Sequence, residues 1–456
     1  VLTGPEPSDP ARGAWWLEQD TIRALMAIDR ADVYKAGRLA AHLSLTPDGG
    51  VEFGYTREWL RNRGAAIATT LPLRPAPVRG DRVPVFFAGL LPEGRRFQTL
   101  LGAVRRAGHG TGPGGRAGTP GPRAPLDLRP EQPPTPGEEF RLLLAVGSNT
   151  VGDVQVVPAD HPPAWARPCL RGPDFAHFSQ MSFTDLVTAL GTQVDPVALP
   201  GVQDKVSAGL THDACRVAKD GGEQHLLLKL VAPRYRYLVE NEHFFLTAAR
   251  GHGIPAPTTR IVHDSDGAAA LAVSRFDRVL TSEGVQALPV EDGCQVLGLR
   301  PEAKYTVGTG QVLAALAAVC EDPAAAAEQL LAQVVFAYLS VNGDAHAKNF
   351  SILGDHDGRW RPSPAYDLPS TFFYGQHTAA LGVAGIRGPN ITGRRFIALA
   401  EQHLGLCATR ARQTIDRVAA TADHWLTAVD QLPFDRRRAT KFRRVVRTRQ
   451  QFLMLH

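Results

Sequence analysis

The chain has 456 residues, 44% of them hydrophobic and 21% charged, with a formal net charge of +5. That length exceeds one ordinary domain and the composition is that of a folded protein, so two or three packed units are expected. A charge this small over this length does not indicate nucleic acid by itself. The five cysteines (Cys169, Cys215, Cys294, Cys320, Cys407) are odd in number and form no CxxC pair, which argues against a disulfide framework or a zinc site and fits a reducing cytoplasm. Val1 to Asp20 has no basic start followed by an apolar run, and no stretch reaches the ~20 apolar residues of a membrane helix, so the expectation is a soluble, cytoplasmic protein without a membrane partner.

In chain order, Leu39, Ala41, Leu43 and Leu45 alternate as a half-buried strand would, and the break Thr46-Pro-Asp-Gly-Gly before VEFGY predicts a hairpin. A β-rich N-terminal module over residues 21–160 follows from this. Between Ala107 and Gly137, 16 of 31 residues are Gly or Pro, a composition that reads as a flexible insert. FRLLLAVGSNTVGDVQVVP then starts like a helix and ends like a strand. A boundary falls near Pro158 to Asp174. Strand-like runs (HLLLKLV, RIVHD, ALAVSRF) next alternate with helix-like ones (ENEHFFLTAARGHG, AAAAEQLLAQVVFAYLSVNG), which gives residues 174–285 as a mixed region and 286–452 as a mainly helical one. The chain ends in DRRRATKFRRVVRTR, with eight Arg or Lys in the fifteen positions from Asp435 to Arg449.

The residues that carry chemistry begin with NGDAHAKNFSIL, directly after an apolar helix. Asp344 precedes Asn349 by five positions, the interval at which a kinase catalytic loop places the carboxylate that accepts a substrate proton and the amide that holds magnesium. Eighteen residues beyond Asn349, PAYDLPS offers Asp367 as the second oxygen ligand that phosphoryl transfer needs; the alternative is a turn residue before Pro369. Lys229 lies inside the apolar strand HLLLKLV, where an ammonium is costly unless it meets anions, or else points to solvent from an edge strand. Glu240 or Glu242 in the next helix would partner it. LPGVQDKVSAG lacks the glycines of GxGxxG, although amides around Gly201, Val202, Gln203 and Asp204, with Lys205, could cradle phosphate. His346 reads as a residue that braces the loop rather than as a metal ligand. GxSxG, HExxH and GxxxxGK[ST] are all missing from the sequence.

The ordered set GVQDK, LLLKL, ENEHFF, SRFDR, VEDGCQVLG, GDAHAKNFS and AYDLPS resembles the HipA family of toxin-antitoxin serine/threonine kinases. The likeness extends from VYKAGRLAAHLSL and LLPEG to the helical C-terminus. It implies an α+β, two-lobed protein-kinase-like fold, ATP with Mg2+, and phosphorylation of a protein hydroxyl. By that resemblance Gly201 to Lys205 form the phosphate loop, Lys229 binds phosphate with Glu242 as its partner, and Ser274, Arg275 and Phe276 form the hinge near adenine. Asp344 is the base, while His346, Lys348, Asn349, Tyr366 and Asp367 complete the nucleotide and metal site. The family also implies a HipB-like helix-turn-helix antitoxin, DNA contact through that antitoxin, and a translation component such as an aminoacyl-tRNA synthetase as substrate.

A second reading is a weakly catalytic, DNA-associated corepressor, for which the basic segment Arg436 to Arg449 is the supporting feature. Phe442, Val445, Val446 and Phe452 have helical spacing there and suit a surface helix with one apolar face. The intact set Lys229, Asp344, Asn349 and Asp367 favours the enzyme.

Overall fold

The computed structural model describes residues 19–108, 133–148, 150–163, 170–171, 182–183, 210–219, 222–231, 235–282, 284–355 and 357–455. The N-terminal sheet contains β1 (Arg30–Lys35), β2 (Arg38–Leu45), β3 (Val51–Tyr55), β4 (Val78–Gly80) and β5 (Val154–Pro158) in the order β4-β3-β2-β1-β5. Ala36 and Gly37 both have positive φ, 47° and 75°, the pair a two-residue type I′ hairpin between β1 and β2 requires. The expected second hairpin joins β2 to β3, with Gly49 at φ 86°. Alternation puts Ala31, Val33, Ala41, Leu43, Val51 and Phe53 on one buried face, where they meet Phe86 and Phe87 and, from the helix Pro136–Val146, Phe140 and Leu143.

The insert expected over Ala107 to Gly137 is narrower than its composition suggested. Ala107 and Gly108 close the helix Gly94–Gly108, and Pro136 and Gly137 open the next one, while 109–132 lie outside the described residues. Thr135 explains the second edge. Its hydroxyl accepts from Glu138 N–H and Glu138 returns a bond to Thr135 N–H, a reciprocal cap that starts the helix two residues after the double proline.

A second sheet holds β6 (Leu170–Arg171), β7 (Leu210–Lys219), β8 (Gly222–Val231), β9 (Thr259–His263) and β10 (Ala269–Ser274) in the order β6-β7-β8-β10-β9. β8 therefore has a neighbour on each side, so the solvent-facing edge position is excluded for Lys229. The helix Leu238–Gly251 crosses between β8 and β9. A hairpin of β11 (Arg278–Thr281) and β12 (Gly284–Ala287) follows, then a small sheet of β13 (Val290–Asp292), β14 (Ser351–Gly354) and β15 (Trp360–Pro362).

The helices Thr309–Val319, Pro323–Leu339, Gly393–Leu404, Ala408–Ala420 and Arg436–Leu453 make the C-terminal core. Pro323–Leu339 is buried on nearly every side, with Leu330, Leu331, Val335, Phe336 and Leu339 inaccessible, which is why it reads as apolar all round. It delivers the chain into the segment Asn342 to Asn349. The basic helix Arg436–Leu453 packs through Ala439, Phe442, Val446 and Leu453, and Arg443 and Arg447 pair with Asp430 and Asp423. Its apolar face is the one expected, except that Leu453 rather than Phe452 is the buried residue at its end.

Candidate active site

Lys229 is 3% exposed on the central strand β8, and its ammonium meets two carboxylates: Glu242 Oε1 at 2.7 Å and Asp367. Burial pushes the ammonium's pKa down, but Asp367 and Glu242 together hold it well above the usual lysine value. Burial, with Asp367's charge added, raises Glu242 against the pull of Lys229. Of the two candidate glutamates, the structure selects Glu242. Asn241 beside it exchanges two hydrogen bonds with Ser370, Nδ2 to the Ser370 carbonyl at 2.9 Å and Ser370 N–H to Oδ1 at 2.8 Å. That exchange fastens the helix Leu238–Gly251 to the segment just beyond Asp367.

Asp367 sits at φ 52°, a left-handed conformation that costs a non-glycine residue about 1–2 kcal/mol. The strain is held by its surroundings. Asn342 Nδ2 donates to the Asp367 carbonyl at 2.9 Å, and Asn349 Nδ2 lies 3.1 Å from Asp367 Oδ2. Val341, at φ 59°, is a second such residue on the entry to the loop, and Thr371 braces it by donating N–H (2.9 Å) and hydroxyl (3.0 Å) to its carbonyl. The Thr371 hydroxyl also accepts from Gly343 N–H at 2.8 Å. A Cβ on Gly343 would stand 2.6 Å from the Thr378 carbonyl, which explains glycine there.

Asp344 is 4% exposed. Its N–H donates to Asn342 Oδ1 at 3.0 Å, and its Oδ1 accepts from the Tyr305 hydroxyl at 2.6 Å. Its Oδ2 is buried with no hydrogen-bond partner among the described residues. Asn349 closes a single 3-10 turn, Ala347–Asn349, by accepting from His346 N–H at 3.1 Å. Burial, with Lys304's charge added, pushes the His346 imidazole down to about 4, so it is neutral near pH 7 and packs edge-on against Tyr305, centroids 5.0 Å apart.

The structure thus brings Lys229, Glu242, Asp344, Asn349 and Asp367 together. It also gives two other candidate residues partners within the chain. The Lys348 ammonium donates to Asp292 Oδ2 at 2.6 Å and the Gly89 carbonyl at 3.3 Å, which makes it a strut between the loop and the N-terminal module. The Arg275 guanidinium chelates Asp277 (2.9 and 2.7 Å) and donates to the Thr150 carbonyl at 2.9 Å, so at the hinge it too is structural. Ser274 Oγ accepts from Thr258 at 2.8 Å. The Phe276 and Tyr366 rings lie 5.8 Å apart, and the Tyr366 hydroxyl donates to the Lys348 carbonyl at 2.6 Å. Gly201, Val202, Gln203, Asp204 and Lys205 lie outside the described residues. Sequence reasoning missed Asn241, Tyr305, Asn342 and Thr371; only Asn342, in NGD two residues before the carboxylate, carried a local signal.

Magnesium takes oxygen ligands, which the Asp367 carboxylate and the Asn349 amide oxygen would supply; the two side chains are neighbours, with Asn349 Nδ2 facing Asp367 Oδ2 at 3.1 Å. Asn349 Oδ1 spends one lone pair on His346 N–H and keeps a second. The donor set therefore fits the ion.

Comparison with known proteins points the same way. Residues 197–426 match a HipA-like C-terminal domain and residues 31–111 a HipA N-terminal domain. Two proteins of Sinorhizobium fredii, the putative kinases Y4mE and Y4dM, are 28% and 30% identical to the chain, covering 76% and 77% of it and 79% and 78% of their own lengths. The serine/threonine-protein kinase toxin HipA of Shewanella oneidensis is 26% identical, over 72% of each chain. A solved structure of that organism's HipA, in complex with HipB and operator DNA, superposes with a TM-score of 0.69 at 21% identity, covering 93% of this chain and 97% of that one. With the C-terminal model alone spanning half of the sequence and the N-terminal model matching the sheet that precedes it, the chain belongs to the HipA family.

Proposed function

We propose that this protein is a serine/threonine protein kinase of the toxin-antitoxin type, which transfers the γ-phosphoryl group of ATP to a protein hydroxyl. The observation that carries the proposal is the convergence on one cleft of a buried ammonium, two oxygen ligands and a buried carboxylate with an unused oxygen. Phosphoryl transfer needs those parts: charge neutralisation, a metal-binding pair and a proton acceptor.

Lys229, fixed by Glu242, supplies the positive charge for the phosphates. Asp367 and Asn349 would hold Mg2+, which when bound neutralises the charge that builds up on the phosphate oxygens. Asp344 accepts the hydroxyl proton as the substrate oxygen bonds to the γ-phosphorus and the bond to ADP breaks, its electron pair leaving with ADP. Asn342 holds both the Asp344 N–H and the Asp367 carbonyl, so base and metal ligand keep one spacing. Neutral His346 fills the loop without adding a competing charge. The amides of Gly201 to Asp204 and Lys205 would cover the phosphates, and Phe276 and Tyr366 would offer adenine an aromatic wall.

The relative solved with HipB and operator DNA supports a HipB-like helix-turn-helix antitoxin as partner, with DNA reached through it. A translation component such as an aminoacyl-tRNA synthetase is the substrate class the family offers. No helix among the described residues is long and apolar enough to cross a membrane.

Radiolabelled ATP and cell lysate, with wild type against Asp344→Ala and Asp367→Ala, test the proposal. Both variants should lose transfer by about 10^2-fold or more. Calorimetric titration should separate them: Asp367→Ala weakens Mg-ATP binding strongly, whereas Asp344→Ala leaves it nearly intact. Equal loss of binding in both would refute the division of roles.

A further inference from the structure

We infer that Tyr305 is a positioning residue for the catalytic carboxylate: its hydroxyl holds Asp344 Oδ1 so that Oδ2 alone faces the incoming substrate hydroxyl. The inference rests on the reading of Asp344 as base. Tyr305 lies 39 residues before Asp344, and its hydroxyl donates to Oδ1 at 2.6 Å. Oδ2, buried beside it, has no partner among the described residues. The terminal torsion of an aspartate is broad and roughly two-fold, so one strong donor on one oxygen decides which oxygen is left for chemistry.

The tyrosine is itself held from several directions. Its carbonyl accepts from Arg387 at 2.7 Å, the preceding Lys304 carbonyl accepts from Ala347 N–H at 3.1 Å, and its ring packs edge-on to His346 at 5.0 Å. The Lys304 ammonium lies 5.5 Å from the ring centroid. Both Ala347 and His346 belong to the loop that carries Asp344, so tyrosine and base move as one body. Burial, followed by the charge and hydrogen bond of Asp344, pushes the phenol well above its ordinary pKa, so it remains a donor throughout the working pH range.

A rival role is a plug, in which the phenol occupies the place of the substrate hydroxyl and restrains the enzyme. The two roles predict opposite signs. In the full-length protein, with dephosphorylated casein as acceptor, Tyr305→Phe should lower kcat about 10- to 100-fold, with Mg-ATP affinity within twofold of wild type. Replacement of Tyr305 by 3,5-difluorotyrosine, which keeps the donor, should restore kcat to within a few-fold. Loss of packing alone would leave Phe and difluorotyrosine equivalent and overturns the inference; a faster Tyr305→Phe enzyme assigns the plug instead. In a double-mutant cycle with Asp344→Asn, the Tyr305→Phe effect should vanish, since the tyrosine acts through that carboxylate; an additive loss overturns the inference. Near-wild-type transfer by Asp344→Asn alone would instead sink the base assignment. Crystal structures of wild type and Tyr305→Phe with Mg-ADP provide a readout that needs no acceptor: Asp344 should occupy one carboxylate orientation in wild type and more than one in the variant. A single shared orientation overturns the inference.

Discussion

Two buried ionic clusters, one at Lys229 and one at Asp277, are built differently. In the first, one ammonium, Lys229, faces two carboxylates, and both Glu242 Oε2 and Asp344 Oδ2 are buried with no partner among the described residues. In the second, at the hinge, the Asp277 oxygens accept from Arg275 Nε (2.9 Å), from the terminal nitrogens of Arg275 (2.7 Å) and Arg278 (2.8 Å), and from Gly152 N–H (2.9 Å). The two guanidiniums spend further donors on the Thr150 and Gly152 carbonyls. Arg275 and Arg278 overcome the burial of Asp277 and hold its carboxyl far below the usual range. Unused buried acceptors mark a place that expects a ligand, whereas a saturated network marks a rivet. Here the rivet fastens the N-terminal module to the segment that follows β10.

The sharpest way to break this distinction is to remove one carboxylate charge from each cluster. Asp277→Asn leaves two buried guanidiniums facing a neutral amide, and one-sided removal of a buried ion-pair partner costs about 3–5 kcal/mol. Urea denaturation should show that loss, with the residual folded enzyme keeping most of its turnover. Glu242→Gln removes an excess negative charge, so stability should change by less than about 1 kcal/mol while transfer falls at least tenfold. A stable Asp277→Asn protein, or an unfolded Glu242→Gln one, would erase the difference between the clusters.

The same difference explains what was legible in the sequence. Asp344 and Asn349 could be read because both lie on one tight loop, where spacing along the chain is spacing in the molecule. Lys229 could be read because a lysine among leucines demands an anion, even though its second carboxylate is 138 positions away. The structural partners of Lys348 and Arg275 could not be read for the converse reason. Their residue type suits a phosphate or an adenine hinge, but Asp292, Gly89 and Thr150 reach them through tertiary contacts that no local pattern announces. Tyr305 left no trace at all, being separated from Asp344 by a whole helical hairpin. Strands of the two larger sheets and the apolar helix Pro323–Leu339 were visible from periodicity alone, whereas the second edge of the insert depended on one capping threonine.

A smaller effect sharpens the comparison at a second junction between the N-terminal module and the rest of the chain. Glu291 on β13 is 1% exposed and accepts from Thr69 N–H at 2.8 Å and Thr69 hydroxyl at 2.7 Å. Burial pushes it up to about 7, outweighing those two bonds. Because its folded value lies above the unfolded one, the native state binds the proton more tightly, and the group's contribution is complete below about pH 4.5 and lost as pH rises through about 7. Stability should therefore decline across that window by on the order of 3 kcal/mol from this residue. Glu291→Gln should flatten the slope in pH-dependent urea titrations; an unchanged slope would show that the junction does not titrate.

The smallest expected effect applies the test of satisfied groups to a helix end. Two internal deletions differ only in their edges: one replaces residues 110–131 with a short Gly-Ser linker, the other replaces 107–137. The first removes residues whose Gly and Pro content cannot supply a core, so melting temperature and transfer should match wild type. The second also removes Thr135, which caps the Glu138 N–H and whose own N–H is answered by Glu138. Loss of such a cap costs about 1 kcal/mol. The helix that loses it, Pro136–Val146, buries Phe140, Leu142 and Leu143 against the N-terminal sheet and its neighbouring helices, so fraying there loosens packing as well. The wider deletion should therefore melt a few degrees below the narrower one. Restoring Thr135 to Gly137 within it should return the difference, whereas equal melting of all three proteins would mean that the helix starts without its cap.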